Sequence, residues 1–276
     1  MSTLNDKIQS AIRILKIAEQ QAAVFSEPIE IAYSGGKDSD VLLTLAKMAN
    51  VNYKAYYKNT TIDPPGTIEH VRFNHVNIVK PQFSFLELVK KKGFPSMFRR
   101  FCCHFLKEYK ILNVCAIGVR AAESTRRAKR YTTFEQCRVY SNNERVKQYF
   151  PIFDWQLSDI SKFISYYNIQ LAPIYYTTDG TPDFSRRLGC LGCPLKSDRG
   201  IADFLAHPAL LRAILRAGLF YSQTHPNSFS RFNHNVYNAF VCNVFFRSIE
   251  KFRIATQGGM FGDFDCKQFI YSYFNL

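Results

Sequence analysis

Apolar and polar positions along this chain fall into blocks whose spacing changes from one to the next. Leu4, Ile8, Ile12, Leu15 and Ala18 recur every three or four residues, which predicts an N-terminal helix. Ile29 to Tyr33 is a short apolar run and reads as a buried strand. Two glycines follow, and Val41-Leu42-Leu43-Thr44-Leu45-Ala46-Lys47-Met48 then carries an amphipathic helical pattern. Val51 to Tyr57 predicts a second strand, which ends at Thr60-Thr61-Ile62-Asp63-Pro64-Pro65-Gly66, where prolines and glycine force a turn. Thr67 to Asn74 reads as a helix and Val76 to Val79 as a short third strand. Ser84 is placed to cap a helix through Lys92, which Gly93 and Pro95 terminate. Val114 to Val119 is a further buried strand.

Strands alternating with helices imply an α/β fold with a doubly wound, mostly parallel sheet, covered on both faces. In such sheets ligands bind beyond the carboxyl ends of the strands. The segments Ser34–Ser39, Thr60–Asp63 and Gly118–Arg127 all follow strands and are expected to face one crevice. From about Lys196 the pattern changes: Ala202 to Tyr221 is helical and apolar on one side, and the remainder is rich in Phe, Tyr and Asn. The expected organisation is a nucleotide-binding domain over 1–196 and a helical C-terminal extension over 197–276.

The turn after the first strand carries the most chemistry. Ser34-Gly35-Gly36-Lys37-Asp38-Ser39 joins a strand to a helix N-terminus. Glycines there let the backbone approach a phosphate closely, the free N–H groups point at it, and the helix dipole favours its charge. Ser34 and Ser39 add hydroxyl donors and Lys37 a point charge, while Asp38 is placed to orient the loop or to hold Mg²⁺ through water. The spacing is not that of a Walker A loop. It resembles the PP-loop, Ser-Gly-Gly-x-Asp-Ser, of enzymes that split ATP into AMP and pyrophosphate. A glycine turn without a ligand is the bland alternative.

Composition narrows the class. The 276 residues are 47% hydrophobic, enough for a real core. No apolar stretch reaches the ~18 residues that a membrane helix needs, and Met1-Ser2-Thr3-Leu4-Asn5-Asp6 lacks the basic and apolar regions of a signal peptide. The expectation is a cytoplasmic protein with no membrane partner. In a reducing compartment the eight cysteines are metal ligands, reactive thiols or core residues rather than a disulfide framework. The formal charge of +14 suits a polyanionic partner, either nucleic acid or the nucleotide itself.

Cys102 and Cys103 are adjacent, and Cys190-Leu191-Gly192-Cys193 spaces two thiols with a glycine between them. Four soft thiolates suit an iron–sulfur cluster or a zinc ion. Buried structural thiols are the alternative, because neighbours on a helix point about 100° apart. Cys115 lies in a strand and is expected in the core; Cys137, Cys242 and Cys266 stand alone and are expected to pack.

Taken in order, Cys102-Cys103, Lys107, Gly118-x-Arg120, Glu123-Ser124, Arg127, Trp155 and Gly189-Cys190-Leu191-Gly192-Cys193-Pro194 form a series. Thr61-Ile62-Asp63-Pro64-Pro65 and Lys92-Gly93-Phe94-Pro95 accompany it. The series resembles the PAPS/APS reductase family of adenine-nucleotide hydrolase-like proteins, over roughly 28–200, and is also similar to the DNA-phosphorothioation sulfur enzymes. The resemblance implies a [4Fe-4S] cluster on Cys102, Cys103, Cys190 and Cys193. It also implies nucleotide contacts by Thr61, Asp63, Lys107, Gly118, Arg120, Glu123 and Arg127, beside those of the loop. Guanidinium groups suit paired recognition of sulfate or phosphate oxygens, and Glu123 is placed to orient one of the arginines. A solvated basic helix face is the bland reading of Arg126, Arg127, Lys129 and Arg130. Trp155 is expected in the core or as a platform near the site.

Two departures bear on the reaction. Assimilatory reductases carry a degraded phosphate loop, whereas this loop is complete. They also use a cysteine in a C-terminal Glu-Cys-Gly-Leu/Ile-His motif, whereas the tail here reads Phe264-Asp265-Cys266-Lys267-Gln268. Lys267 is placed to lower the pKa of Cys266, although a packed thiol is the default. The expectation is an enzyme using ATP and Mg²⁺ to adenylate an acceptor for sulfur transfer, with Lys37, Asp38 and Arg120 at the centre and a sulfur-donor protein as partner. The alternative is reduction of APS or PAPS with thioredoxin as partner. A third is a nucleotide-binding module without catalysis.

Overall fold

The computed structural model describes residues 3–123, 133–140, 142–246, 248–256 and 264–276. Two units interleave along the chain. The first comprises Met1–Asn59, Pro64–Lys80 and Glu108–Leu188; the second comprises Thr60–Asp63, Pro81–Lys107 and Gly189–Leu276.

The first unit is built on a six-stranded sheet of β1 (Ile29–Tyr33), β2 (Tyr53–Lys58), β3 (Asn77–Val79), β4 (Val114–Ile117), β5 (Glu135–Val139) and β6 (Arg145–Tyr149). Their order is β3-β2-β1-β4-β6-β5. All pairings are parallel except β5 with β6. The chain thus winds outward from β1 through β2 to β3, then returns to start again at β4 on the other side of β1. That reversal opens a crevice beyond the carboxyl ends of β1 and β4.

Helices α1 (Leu4–Ala23) and α2 (Lys37–Ala49) form from the predicted periodic runs. Thr3 and Asp6 make a reciprocal capping box that satisfies the first donors of α1. Ile8, Ala11, Leu15, Ala18 and Ala22 then bury one stripe. Strand β1 has no solvent face; its one acid, Glu30, is 2% exposed. The Glu30 carboxylate lies 3.8 Å from Lys58 Nζ and accepts the Leu112 N–H at 3.2 Å, so the buried charge is compensated. Trp155, fully buried, packs edge-on against Phe163 in this core. Helices α3 (Thr67–Phe73) and α6 (Leu157–Tyr166) belong to the same unit.

The second unit is helical. Its elements are α4 (Phe85–Lys92), α5 (Phe101–Leu106), α7 (Ile201–Ala206), α8 (Pro208–Thr224), α9 (Val236–Val241), a π-turn at Cys242–Phe246, α10 (Ile249–Thr256) and α11 (Cys266–Phe274). It has its own apolar core, with Phe85, Leu88, Phe204, Leu211, Phe240 and Phe274 at its centre. The Ser84 cap and the Gly93 stop of α4 are as expected.

Two expectations need correction, whereas Cys266 packs as expected. The helix expected over Ala202–Tyr221 is two helices, because Pro208 has no N–H to donate and takes the first position of α8 instead. Cys137 does not pack: it is exposed on β5, the edge strand. Cys266 is buried, and burial pushes its thiol up to about 11, with Asp265 and Cys242 adding to the rise. Lys267 does not counter this; its ammonium lies over the Tyr237 and Tyr271 rings. Among the described residues no helix is long and apolar enough to cross a membrane.

Candidate functional site

The Ser34–Ser39 loop lies at the crevice of the first unit, where β1 hands over to α2. Gly36 takes the N-cap position of α2 in extended conformation and lends no side chain to the cap, and its own N–H donates to Ser34 Oγ at 3.3 Å. Ser39 Oγ donates to the Gly36 carbonyl at 2.7 Å, and the Ser34 and Ser39 hydroxyls are 3.2 Å apart. These bonds hold the turn in shape.

Gly118, after β4, explains why a glycine follows that strand. A Cβ there would stand 2.9 Å from the Asp38 carbonyl oxygen, so no side chain fits between the two loops. The close approach brings Arg120 onto the PP-loop. Arg120 is 4% exposed, and its Nε donates to Asp38 Oδ1 at 2.6 Å. A second guanidinium nitrogen lies 3.9 Å from Glu123 Oε1, so Glu123 does flank the arginine.

Lys37 is 2% exposed. Its Nζ donates to the Arg186 carbonyl at 3.1 Å and stands 3.7 Å from Asp38 Oδ2. Burial pulls its pKa below the ordinary lysine value; Asp38 opposes that, and Arg120 and Arg187 reinforce it. Three cations therefore surround one loop at the positive end of a helix.

Sequence reasoning missed several members of this site. The Tyr175 hydroxyl accepts the Lys37 N–H and the Leu188 N–H, each at 3.2 Å. Arg187 donates to the Glu123 carbonyl at 3.2 Å, while its side chain stays 60% exposed. Arg186 and Arg187 stand just before Gly189-Cys190, so the basic pair ahead of that motif was the available signal. Under the loop, Asp40 accepts hydrogen bonds from the Tyr33 hydroxyl and, at 2.9 Å, pairs with His70 Nε2. Asn74 donates to the Tyr33 hydroxyl at 3.1 Å. Nothing in the linear sequence joins these four residues.

The first unit thus brings together Ser34, Gly35, Gly36, Lys37, Asp38, Ser39, Gly118, Arg120 and Glu123. Arg127 lies outside the described residues. Thr61, Asp63 and Lys107 belong to the second unit, with the four cysteines.

In that second unit Cys102, Cys103, Cys190 and Cys193 line one cavity, together with Thr60, Ile62, Phe85, Leu106 and Lys107. Three separate stretches of chain build it. The Leu191 N–H donates to the Ile62 carbonyl at 2.8 Å, and the Cys190 thiol to Thr60 Oγ1 at 3.5 Å. The Thr61 hydroxyl accepts the Phe85 N–H, and Asp63 accepts the Thr60 N–H. Gly192 has φ +64°, and a Cβ there would strike the Phe204 ring at 2.5 Å, so the Cys-Leu-Gly-Cys turn requires glycine. Its N–H donates to Asp203 at 2.7 Å.

Cys102 is held far above the usual thiol range, first by its hydrogen bond with Cys103 and then by burial; burial also raises Cys193. Lys107, exposed over part of its length, is pulled down by burial of its ammonium, but the Cys190 sulfur and the Asp63 carboxylate outweigh that and raise it overall. Among the described residues no three His, Cys, Asp or Glu side chains converge tightly enough to hold a single metal ion.

The model of the phosphoadenosine phosphosulfate reductase domain matches residues 28–196. The chain belongs to the PAPS reductase family. A curated relative, an uncharacterized protein of Methanocaldococcus jannaschii, is 30% identical over 179 residues. That match takes in 60% of this chain but only 41% of the relative, so the chain spans about two fifths of its length. Solved structures with similar folds include the phosphoadenylyl-sulfate reductase of Candida auris in complex with phosphate (16% identity, 69% of this chain and 97% of that one, TM-score 0.45). They also include the FMN adenylyltransferase of Candida glabrata with FMN and an ATP analogue (16%, 63% and 62%, 0.41). A third is the U34-tRNA thiolase of Methanococcus maripaludis with its [4Fe-4S] cluster (10%, 76% and 78%, 0.37).

Proposed function

We propose that this PAPS reductase-family protein binds ATP with Mg²⁺ and adenylates an acceptor for sulfur transfer, releasing pyrophosphate. The observation that carries the reading is the complete Ser34–Ser39 loop at a helix N-terminus, with Lys37, Arg120 and Arg187 around it. A sulfonucleotide presents no β,γ-pyrophosphate, and a complete pyrophosphate cradle would have no task with such a ligand.

In the proposed reaction an acceptor oxygen attacks the α-phosphorus, and the bond from that phosphorus to the bridging oxygen breaks. The negative charge developing on the pyrophosphate would be met by loop N–H groups, the Ser34 and Ser39 hydroxyls and the Lys37 ammonium once they exchange their present partners for it. Arg120 leaves its Asp38 partner to meet a phosphate oxygen, and Glu123 limits how far the guanidinium moves. The acceptor oxygen is now part of a good leaving group, so a sulfur nucleophile attacks the acceptor atom that bears it, forming the bond to sulfur as the bond to oxygen breaks and AMP leaves with that oxygen.

The donor set in the second unit fits an iron–sulfur cluster on Cys102, Cys103, Cys190 and Cys193. Four thiols line one mainly apolar cavity, and Lys107 supplies positive charge against a negative thiolate assembly. Bound there, a cluster would tie together three stretches of chain and give sulfur chemistry a redox-active neighbour.

Calorimetric titration with Mg·ATP, AMP, APS and PAPS tests the reading. Mg·ATP should bind most tightly, and Lys37→Ala should lose about one to two decades of that affinity, the worth of one charge-assisted contact. Tight binding of APS or PAPS with none of ATP would make the protein a sulfonucleotide reductase instead.

A further inference from the structure

The second unit carries a surface that the proposed chemistry does not use. Between Glu87 and Phe105 the chain places Lys90, Lys91, Lys92, Arg99 and Arg100 against a single acid, Glu87. That acid is already engaged as the capping partner of Ser84. Lys90, Lys91, Arg99 and Arg100 are exposed. Aromatic rings lie among them: Phe98 is 88% exposed and Phe105 39%. Lys92 sits 5.0 Å above the Phe105 ring, and an Arg99 guanidinium N–H donates to the Lys92 carbonyl, so the end of α4 and the segment before α5 form one basic face of Lys92, Arg99 and Arg100, while Lys90 and Lys91 turn to the Phe220 and Phe83 rings. Cys102 and Cys103 are on α5 itself, so this face runs into the wall of the cysteine cavity.

We infer that this face binds single-stranded nucleic acid. Lysines and arginines spaced along two consecutive elements suit the repeated charge of a phosphate backbone. A ring as exposed as Phe98 gives a flat apolar surface on which an unpaired base stacks, and paired bases inside a duplex offer no such face. A membrane surface would also attract the charge. The exposed apolar stretch, however, is only Met97-Phe98, bounded by Ser96 and Arg99, too short for an inserting segment. The inference rests on the proposed activation chemistry and names its acceptor: the strand would bring a base to the cysteine cavity.

Fluorescence anisotropy with a labelled oligouridine strand tests it, on the full chain. Three backbone contacts at about 0.7 counterions each weaken binding about 20-fold between ~50 and ~200 mM salt. The Arg99→Gln/Arg100→Gln pair should lower that salt exponent by about 1.4. Phe98→Ala should weaken binding by about 5- to 150-fold, and Phe98→Tyr should restore it. Circular dichroism melts show that each variant is folded. Mg·ATP titration of the same variants should be unchanged, so loss of strand binding and failure of the nucleotide reading are seen separately. Unaltered binding by Phe98→Ala, equal affinity for duplex, or capture by phosphatidylserine vesicles in preference to the strand would each overturn the inference.

Discussion

Replacing Arg120 by Ala probes the centre of the proposed nucleotide site. Arg120 is 4% exposed, and its Nε–Oδ1 contact with Asp38 is 2.6 Å. Breaking a fully buried ion pair by removing one partner costs about 3–5 kcal/mol, because the other charge is left uncompensated. Asp38 keeps 15% of its side-chain surface, and Lys37 stands 3.7 Å away to take up part of the charge. Both features lower the loss, to about 2–3 kcal/mol, nearer the worth of one charge-assisted hydrogen bond. The assay is denaturant unfolding followed through the single tryptophan, Trp155, which is fully buried in the first unit. A double-mutant cycle with Asp38→Ala should give a coupling of about 1.5 kcal/mol or more. Mg·ATP affinity should fall in parallel by about one to two decades. A coupling under about 0.5 kcal/mol, the level expected of independent sites, would refute the view that these side chains act as one unit.

Further outcomes follow from the same geometry. A bound polyphosphate favours the Lys37 ammonium, so binding raises the pKa that burial has lowered; ATP affinity should be level at low pH and fall once pH passes that lowered value, beginning below the usual ~10.4 of lysine. Calorimetry in buffers of different ionisation heat should show proton uptake there, and its absence would place Lys37 away from the phosphates. His70→Leu strips Asp40 of its ring partner and should cost about 3 kcal/mol, a fall in melting temperature of about 6–12 °C; an unchanged melt would mean that Tyr33 alone suffices for Asp40. Anaerobically purified protein should hold about four irons with matching sulfide, lost in Cys190→Ser or Cys193→Ser and kept in Cys137→Ser. Stoichiometric zinc without sulfide would end the cluster assignment.

Local chain geometry decided what was legible in the sequence. The Ser34–Ser39 turn was plain because strand, glycines and helix N-terminus are covalent neighbours, so their order shows in the sequence without the fold. The parallel strands β1, β2 and β4 were plain because the sheet interior demands apolar runs. The β5–β6 hairpin was not read: Glu135-Gln136-Cys137-Arg138-Val139, the edge strand, and Arg145-Val146-Lys147-Gln148-Tyr149, paired between β4 and β5, both mix charge with apolar residues. Tyr175, Arg187 and the Tyr33–Asp40–His70–Asn74 network were invisible because their partners lie far away in sequence, and only the folded sheet brings them together.

The electrostatics of the loop give the proposed chemistry a physical starting point. Lys37, Arg120 and Arg187 face two carboxylates, Asp38 and Glu123. Three positive charges in so small a space would repel strongly at the low effective dielectric of a buried site. Asp38 relieves that repulsion by lying between Lys37 and Arg120. It is also the weakest kind of barrier to a ligand, because a phosphate oxygen offers both cations the acceptor that Asp38 now supplies. Exchange of one acceptor for another leaves no cation bare at any stage. The Gly118 contact with the Asp38 carbonyl fixes the backbone while the side chains trade partners, so an anion can enter without the loop having to be rebuilt around it.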